Sequence, residues 1–387
     1  MPLTAAEIIA HPAFDTVEWH LEPSRSGYCE VARARHGGPF RLYWEIHGKG
    51  DVKLVWIMGL AAYRTAWKRQ TKYFGHERSD KYSCLVFDNR GMGLSDKPSC
   101  RYSTSEMARD VIDMLEHVGW LPPSSTTSPH HAAPAHAHAH EPAKTTETVP
   151  PPRRDLHFIG VSMGGMISQE LSLLIPHHVA SLSLISTAPR LVRTVPFIQN
   201  LRQRINMFIP RDIDVQLDEI AHRLFSDEFL ALPDTEYPDD PARNFPTNRD
   251  RFAAGELQKR MDRHGFTKKG FMLQAIAAGW HHKSAQQIRA LGDAVGRSRI
   301  AVVHGTSDRM IDFHHFELLR AELSLEEEKG KTSGGGDTDS SEPSSGPGSS
   351  CTFKVWEGKG HVLVWEVEDE FNRFLQDHFD TCANIEG

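Results

Sequence analysis

In Gly160-Val161-Ser162-Met163-Gly164-Gly165 a serine sits among small residues at the end of an apolar run, 156–161, with an amphipathic segment behind it through Ile175. In a strand, turn, helix setting such glycines let the chain bend sharply and hold the serine hydroxyl above a sheet. The helix that starts there points its positive end at any developing oxyanion. The spacing alone is a weak signal, because a serine in a tight turn needs no function; the flanking strand and helix carry the reading. A serine hydroxyl is a poor nucleophile at neutral pH and needs a base within hydrogen-bond reach, itself oriented by a carboxylate. Both residue types stand in suitable places. His304-Gly305-Thr306-Ser307-Asp308-Arg309-Met310 puts Asp308 just after one apolar run, and Gly358-Lys359-Gly360-His361 puts His361 just after the next. Chemistry in open α/β sheets collects at strand C-termini, so Ser162, Asp308 and His361 would meet on one edge.

Other residues compete for these roles. Asp293 and Asp312 lack the strand-end register of Asp308, and Asp88 ends a strand but belongs to a glycine-rich turn. His304 reads as support for the acid loop. The pair His281-His282 reads either as substrate contact or as packing and solvated histidines. His130, His131, His136, His138 and His140 alternate with alanine in a low-complexity tract, which reads as repeat expansion in preference to a metal site.

The elements needed to position such residues are legible. Short β-branched runs at 54–58, 84–88, 156–161, 182–186, 300–305 and 352–357 are continuously apolar, as expected of parallel strands covered on both faces. Two earlier strands, 30–35 and 40–47, flank His36-Gly37-Gly38-Pro39, a hairpin signal that predicts an antiparallel edge. Met107, Val111, Met114, Leu115 and Val118 form a helical stripe that opens at Ser103-x-x-Glu106, a capping-box pattern, and closes at Gly119. Val367, Phe371, Phe374 and Leu375 repeat the pattern near the C-terminus. The segment 190–282 breaks the alternation: it reads as consecutive amphipathic helices, with stripes at Leu217, Ile220, Ala221 and Leu224 and at Met272, Ala275, Ile276 and Gly279. The expected architecture is an α/β fold, a mostly parallel twisted sheet with helices on both faces plus an inserted helical cap. Its core spans 25–189 and 283–387, its cap 190–282, and two low-complexity insertions, 122–152 and 326–350, read as disordered.

Composition narrows the function classes. The chain has 387 residues, a formal net charge of −7 and no dense Lys/Arg block, which leaves no electrostatic footprint for nucleic acid. The cysteines, Cys29, Cys84, Cys100, Cys351 and Cys382, are odd in number and scattered without a C-x-x-C pair, which predicts reduced thiols and a cytoplasmic setting. No signal-peptide pattern and no membrane span is expected.

Four matches now carry a resemblance: Phe87-Asp88-Asn89-Arg90-Gly91-Met92-Gly93-Leu94-Ser95-Asp96, the segment around Ser162, the segment 304–308, and Gly358-Lys359-Gly360-His361. Apart from the two insertions, nearly the whole chain resembles the α/β-hydrolase superfamily, in its group of capped esterases, lactonases and epoxide hydrolases, with the family's order of serine, acid and histidine. The resemblance implies a serine hydrolase acting on carboxylic ester, thioester or lactone bonds of a small apolar substrate through an acyl-enzyme, with no metal or organic cofactor. It implies Ser162 as nucleophile, His361 as base and Asp308 as its orienting acid. The backbone N–H groups of Met163 and Leu60 would form the oxyanion hole, in a chain that departs from the family by carrying Met58 where His-Gly is common. Arg90 would anchor its turn. Relatives that hydrolyse epoxides or haloalkanes use aspartate at the nucleophile position, which Ser162 disfavours. Carbon–carbon bond hydrolysis and aminopeptidase activity stay open, as does a ligand receptor or scaffold that retains the triad. Phe197, Ile198, Met207, Phe208, Ile209, Phe271 and Met272 could line an apolar pocket or form cap core.

Overall fold

The computed structural model of the protein describes residues 2–123, 153–192, 211–324 and 350–385. Apart from their edge residues, both low-complexity insertions lie outside that set, as do Phe197, Ile198, Met207, Phe208 and Ile209. The strands are β1 (Arg25–Val31), β2 (Phe40–Gly48), β3 (Val52–Ile57), β4 (Tyr82–Phe87), β5 (Leu156–Val161), β6 (Val179–Ile185), β7 (Ile300–Gly305) and β8 (Thr352–Trp356). They form one eight-stranded sheet in the order β1-β2-β4-β3-β5-β6-β7-β8. Pairing is antiparallel at β1/β2 and β2/β4 and parallel elsewhere. β1 is displaced from the expected 30–35. It pairs Arg25 with Ile46 through Val31 with Phe40, and Ala32, at φ +59°, ends it. The polar start of this edge strand faces water on one side, so it lacks the apolar pattern that marks the inner strands.

Among the described residues the α-helices of six residues or more are α1 (Ala5–Ala10), α2 (Thr104–His117), α3 (Met163–Leu174), α4 (Ile213–Leu224), α5 (Asn248–Met261), α6 (Lys268–Gly279), α7 (Ala285–Val295), α8 (His314–Leu323) and α9 (Glu368–Ala383). On one face of the sheet, α2, α3, α7 and α8 bury Met107, Val111, Met166, Ile167, Leu291 and Leu319. The opposite face is aromatic. Trp56 packs on Trp67 at 4.9 Å and on Phe74 at 5.6 Å between ring centres, and Phe371, Leu375 and Phe379 of α9 close the layer. Each such side chain contributes about 1.5–3 kcal/mol by leaving water. Ser103 caps α2 by accepting the Glu106 N–H, but the capping box is only half made. The Glu106 carboxylate goes instead to Arg35 and Arg109, because a full countercharge binds it more strongly than one backbone N–H.

Between β6 and β7 the described chain contains helices and no strand, and Arg190 and His282 pair in an isolated antiparallel bridge near the two ends of that stretch. The N-terminal residues join this helical layer. Ala5, Ile8 and Ala13 pack against Leu217, Phe245, Ala253 and Leu257, and Asp214 and Asp250 accept the N–H groups of Ala5 and Leu3 at 2.6 and 3.0 Å. Buried Glu236 ties the layer to the core through Lys68, at 2.7 Å, and Arg69.

The expected stripe on α6 is turned outward. Met272 and Ile276 face solvent, whereas Gly270, Gln274, Ala277 and Ala278 are buried. Small residues permit close approach here: a β-carbon at position 270 would overlap the carbonyl oxygen of Gly91.

Candidate active site

Ser162 occupies the single residue between β5 and α3 at φ +56°, ψ −123°, a region that a residue with a β-carbon rarely adopts. The bend persists because its surroundings fix it. Ser162 N–H donates to Ile185 O at 2.9 Å, and its carbonyl accepts Gly165 N–H at 3.0 Å and the Thr187 hydroxyl at 2.7 Å. The glycine spacing has a steric cause: a β-carbon at position 164 would overlap the Ile57 carbonyl oxygen, and one at position 160 would overlap the Ser168 hydroxyl. Gly59 lies directly on the serine, with room for a β-carbon only 3.0 Å from Ser162 Cβ and 3.6 Å from its Oγ. Among the described residues no acceptor takes the N–H of Leu60 or of Met163, which leaves two backbone donors beside the hydroxyl.

Asp308 follows β7, and three hydrogen-bond donors converge on its two oxygens. Oδ1 accepts the N–H groups of Met310 and Ile311, each at 2.8 Å; Oδ2 accepts His361 Nδ1 at 2.7 Å and lies 3.2 Å from His304 Nε2. Burial works against its charge. The imidazoles of His361 and His304 beside it nevertheless hold the carboxyl below the ordinary carboxylate range. His304 is fully buried and donates its Nε2–H to Ile311 O at 2.8 Å, so it braces the acid loop as expected.

His361 follows β8, is 4% exposed and, with Nδ1 donating to Asp308, presents Nε2 as an acceptor. Its loop is tied down by Ser307 N–H to Lys359 O at 2.9 Å and by Gly360 N–H to the Glu366 carboxylate at 2.9 Å. The same carboxylate accepts the Ser226 hydroxyl at 2.5 Å, which links the loop to the helical layer above it. Ser162, Asp308 and His361 thus stand at the C-terminal ends of β5, β7 and β8. No hydrogen bond joins Ser162 Oγ to His361 among the described residues, and such contacts tighten when substrate binds.

The competing residues are engaged elsewhere. Asp88 is buried, bonded to the Arg64 N–H at 2.7 Å, the Arg64 guanidinium at 3.0 Å and the Leu94 N–H at 2.9 Å. Asp293 pairs with Arg297 on the surface, and Asp312 accepts the His314 N–H. His281 gives its Nδ1 to the Thr104 hydroxyl at 2.9 Å, and burial, aided by the charges of Lys283 and His282, pushes its pKa down to about 3, so it packs as a neutral ring. Arg90 anchors its turn through a buried bidentate pair with Asp110 at 2.6 and 2.7 Å. The cysteines are free and buried, with burial raising Cys29, Cys84 and Cys351 to about 12, so these three are not available thiolates. Among the described residues no group of three or more His, Cys, Asp or Glu is arranged as metal ligands, and no helix is long and apolar enough to cross a membrane.

Sequence reasoning missed Gln274 and Glu366, which reach the site's loops from elsewhere in the chain. Only the isolated polar residue among small ones in Gly270-x-x-x-Gln274-x-x-Ala277-Ala278 could have marked the first.

The family model described as the alpha/beta hydrolase family matches residues 46–374. The chain belongs to the α/β-hydrolase family. Among curated relatives of this hydrolase, a protein of Azorhizobium caulinodans named "Putative carbamate hydrolase RutD" is 26% identical over 151 residues, 39% of this chain and 43% of that protein. 3-Oxoadipate enol-lactonase 2 of Acinetobacter baylyi is 25% identical over 151 residues, with the same coverage of both chains. The match thus spans less than half the length of these relatives. A thermophilic esterase from Thermogutta terrifontis shares the fold, with a TM-score of 0.58 at 16% identity over 93% of this chain and 99% of that one.

Proposed function

We propose that this α/β-hydrolase is a serine hydrolase that cleaves carboxylic ester, thioester or lactone bonds of a small apolar substrate through an acyl-enzyme. The observation that carries the reading is the strained Ser162 turn with two unpaired backbone N–H groups beside it, on the sheet edge that also holds the 2.7 Å His361–Asp308 pair. In this reading Ser162 Oγ bonds to the carbonyl carbon while His361 Nε2 takes its proton. The oxyanion is held by the N–H groups of Met163 and Leu60. Collapse breaks the bond to the leaving group, which takes the proton from His361. Water then repeats the sequence, its proton passing to His361 and back to Ser162 as the acid leaves. Asp308 keeps the imidazole in the required tautomer and stabilises its charged form. The two curated relatives are named for carbamate and enol-lactone hydrolysis, both cleavages at a carbonyl carbon, and this supports the acyl-transfer reading.

The segments 25–189 and 283–387 act in this proposal as the catalytic core and 190–282 as a cap. Phe271, half-buried beside Phe266 at 6.3 Å, is a candidate for the apolar lining. Free thiols suit a reducing, cytoplasmic setting, and the net charge of −7 argues against a nucleic-acid partner. The test is a panel of p-nitrophenyl esters of increasing acyl length beside simple lactones. Turnover of at least one class, lost in Ser162→Ala, is expected; no turnover of any member, or turnover that survives Ser162→Ala, would overturn the proposal.

A further inference from the structure

Gln274 is completely buried on a helix face otherwise made of Gly270, Ala277 and Ala278, and both ends of its amide are used. Oε1 accepts the Ala61 N–H at 3.0 Å, and Nε2 donates to the Arg90 carbonyl at 2.9 Å. A buried carboxamide is costly unless its bonds are made, so this one marks a fixed geometry. The bond falls one residue beyond Leu60, at Ala61, whose φ of +61° lies in the left-handed region that a β-carbon disfavours. The peptide plane that carries the Ala61 N–H is the one that follows Leu60. Holding it fixes Leu60 from the C-terminal side, while Gly59 against Ser162 fixes it from the other.

The same stretch of chain grips the neighbouring loops. Met92 pairs with Phe266, Gly270 abuts the Gly91 carbonyl, and the Tyr63 hydroxyl donates to Asp262 at 3.3 Å. Residues 262–274 therefore hold both the loop after β3 and the turn after β4. Among the described residues the core side reaches the loop through Asn89 on the Met58 carbonyl, at 2.9 Å, Asp88 on the Arg64 N–H, at 2.7 Å, and Asp88 and Glu45 on the Arg64 guanidinium, at 3.0 and 2.8 Å. None of these reaches the peptide between Leu60 and Ala61.

We propose that Gln274 is a positioning residue for the oxyanion hole, and that through it helix α6 sets turnover as well as access. The proposal rests on the serine hydrolase reading above. A donor that swings away from the developing oxyanion loses transition-state stabilisation and leaves substrate binding nearly untouched, so the effect belongs in kcat.

The test uses the full chain, p-nitrophenyl acetate and four proteins: wild type, Ser162→Ala, Gln274→Leu and Gln274→Glu. Gln274→Leu keeps most of the volume and removes both hydrogen bonds. Its kcat is expected to fall at least tenfold with KM within about twofold, and its phosphonylation by a fluorophosphonate to slow in parallel. Gln274→Glu keeps an acceptor for the Ala61 N–H and is expected to recover part of the loss. Should Gln274→Leu fail to fold, Gln274→Ala, which leaves room for water to satisfy the freed groups, is expected to show the same kcat loss. A folded Leu or Ala variant with wild-type kcat, or with only KM raised, overturns the proposal while a dead Ser162→Ala keeps the hydrolase reading. Full hydrolysis by Ser162→Ala overturns both.

Discussion

Replacing Asp308 by asparagine separates the charge of this residue from its shape. Three donors converge on the two carboxylate oxygens: two backbone N–H groups at 2.8 Å on Oδ1 and His361 at 2.7 Å on Oδ2, with His304 Nε2 lying 3.2 Å from Oδ2. Asparagine offers one oxygen and one NH2. If the NH2 faced Met310 and Ile311, two buried donor pairs would collide, at about 1–3 kcal/mol for each group left unpaired. The oxygen therefore keeps the backbone and the NH2 turns to His361. His361 must then accept at Nδ1 and carry its proton on Nε2, where it cannot take the proton of Ser162. His304 loses less, because it still has the Ile311 carbonyl at 2.8 Å. With the wrong tautomer and no charge to stabilise the imidazolium, kcat is expected to drop about 10⁴-fold, roughly 5.5 kcal/mol of barrier. Stability should fall by about 2–4 kcal/mol. The assay is kcat on the best ester of the panel, with urea unfolding of the same samples. A folded Asp308→Asn protein with kcat within tenfold of wild type would refute this reasoning.

Two further outcomes test the fold around the site. Gly164→Ala puts a methyl group into the Ile57 carbonyl oxygen and 2.9 Å from the Met58 oxygen, so a loss of about 3 kcal/mol or insolubility is expected, read from the urea midpoint; an unchanged midpoint would contradict the geometry. Burial lowers His157 to about 3, His281 to about 3 and His378 to about 4, so each stays neutral in the folded protein down to those values. In the unfolded chain they take up protons near pH 6.5, so the unfolded state gains as pH falls from there toward 4. Each group then contributes up to about 1.4 kcal/mol of destabilisation per pH unit, and the loss levels off below the folded values. Stability measured by urea between pH 7 and pH 4.5 should fall steeply below pH 6; a flat profile would contradict the buried, neutral state of these rings.

The inner strands and the strand-end positions of residues 162, 308 and 361 were readable because local sterics and burial write them into the pattern, whereas the order of the strands in the sheet was not. Inner parallel strands must be apolar on both faces, and glycines 160 and 164 are forced by atoms within a few residues of Ser162 or on the adjacent strand. Long-range choices were not readable. Ile8 and Ala13 look like an ordinary helical start and only their contacts with Leu217 and Phe245 assign them to the helical layer. The apolar stripe of α6 predicts Met272 and Ile276 as its inner face, yet the helix is rotated because Gln274 must reach Ala61 and Arg90 and Gly270 must reach Gly91. A polar side chain inside a small-residue face looks locally like an exposed one, and only its partners, 213 and 184 residues away, reverse the reading.

The central claim is that Ser162 is an activated nucleophile, and covalent labelling tests it most directly. The full chain is incubated with a fluorophosphonate, digested and read by mass spectrometry. A single adduct on Ser162, absent from Ser162→Ala and strongly slowed in His361→Ala, is the expected result; an unlabelled wild-type chain, or equal labelling of Ser162→Ala, would contradict it.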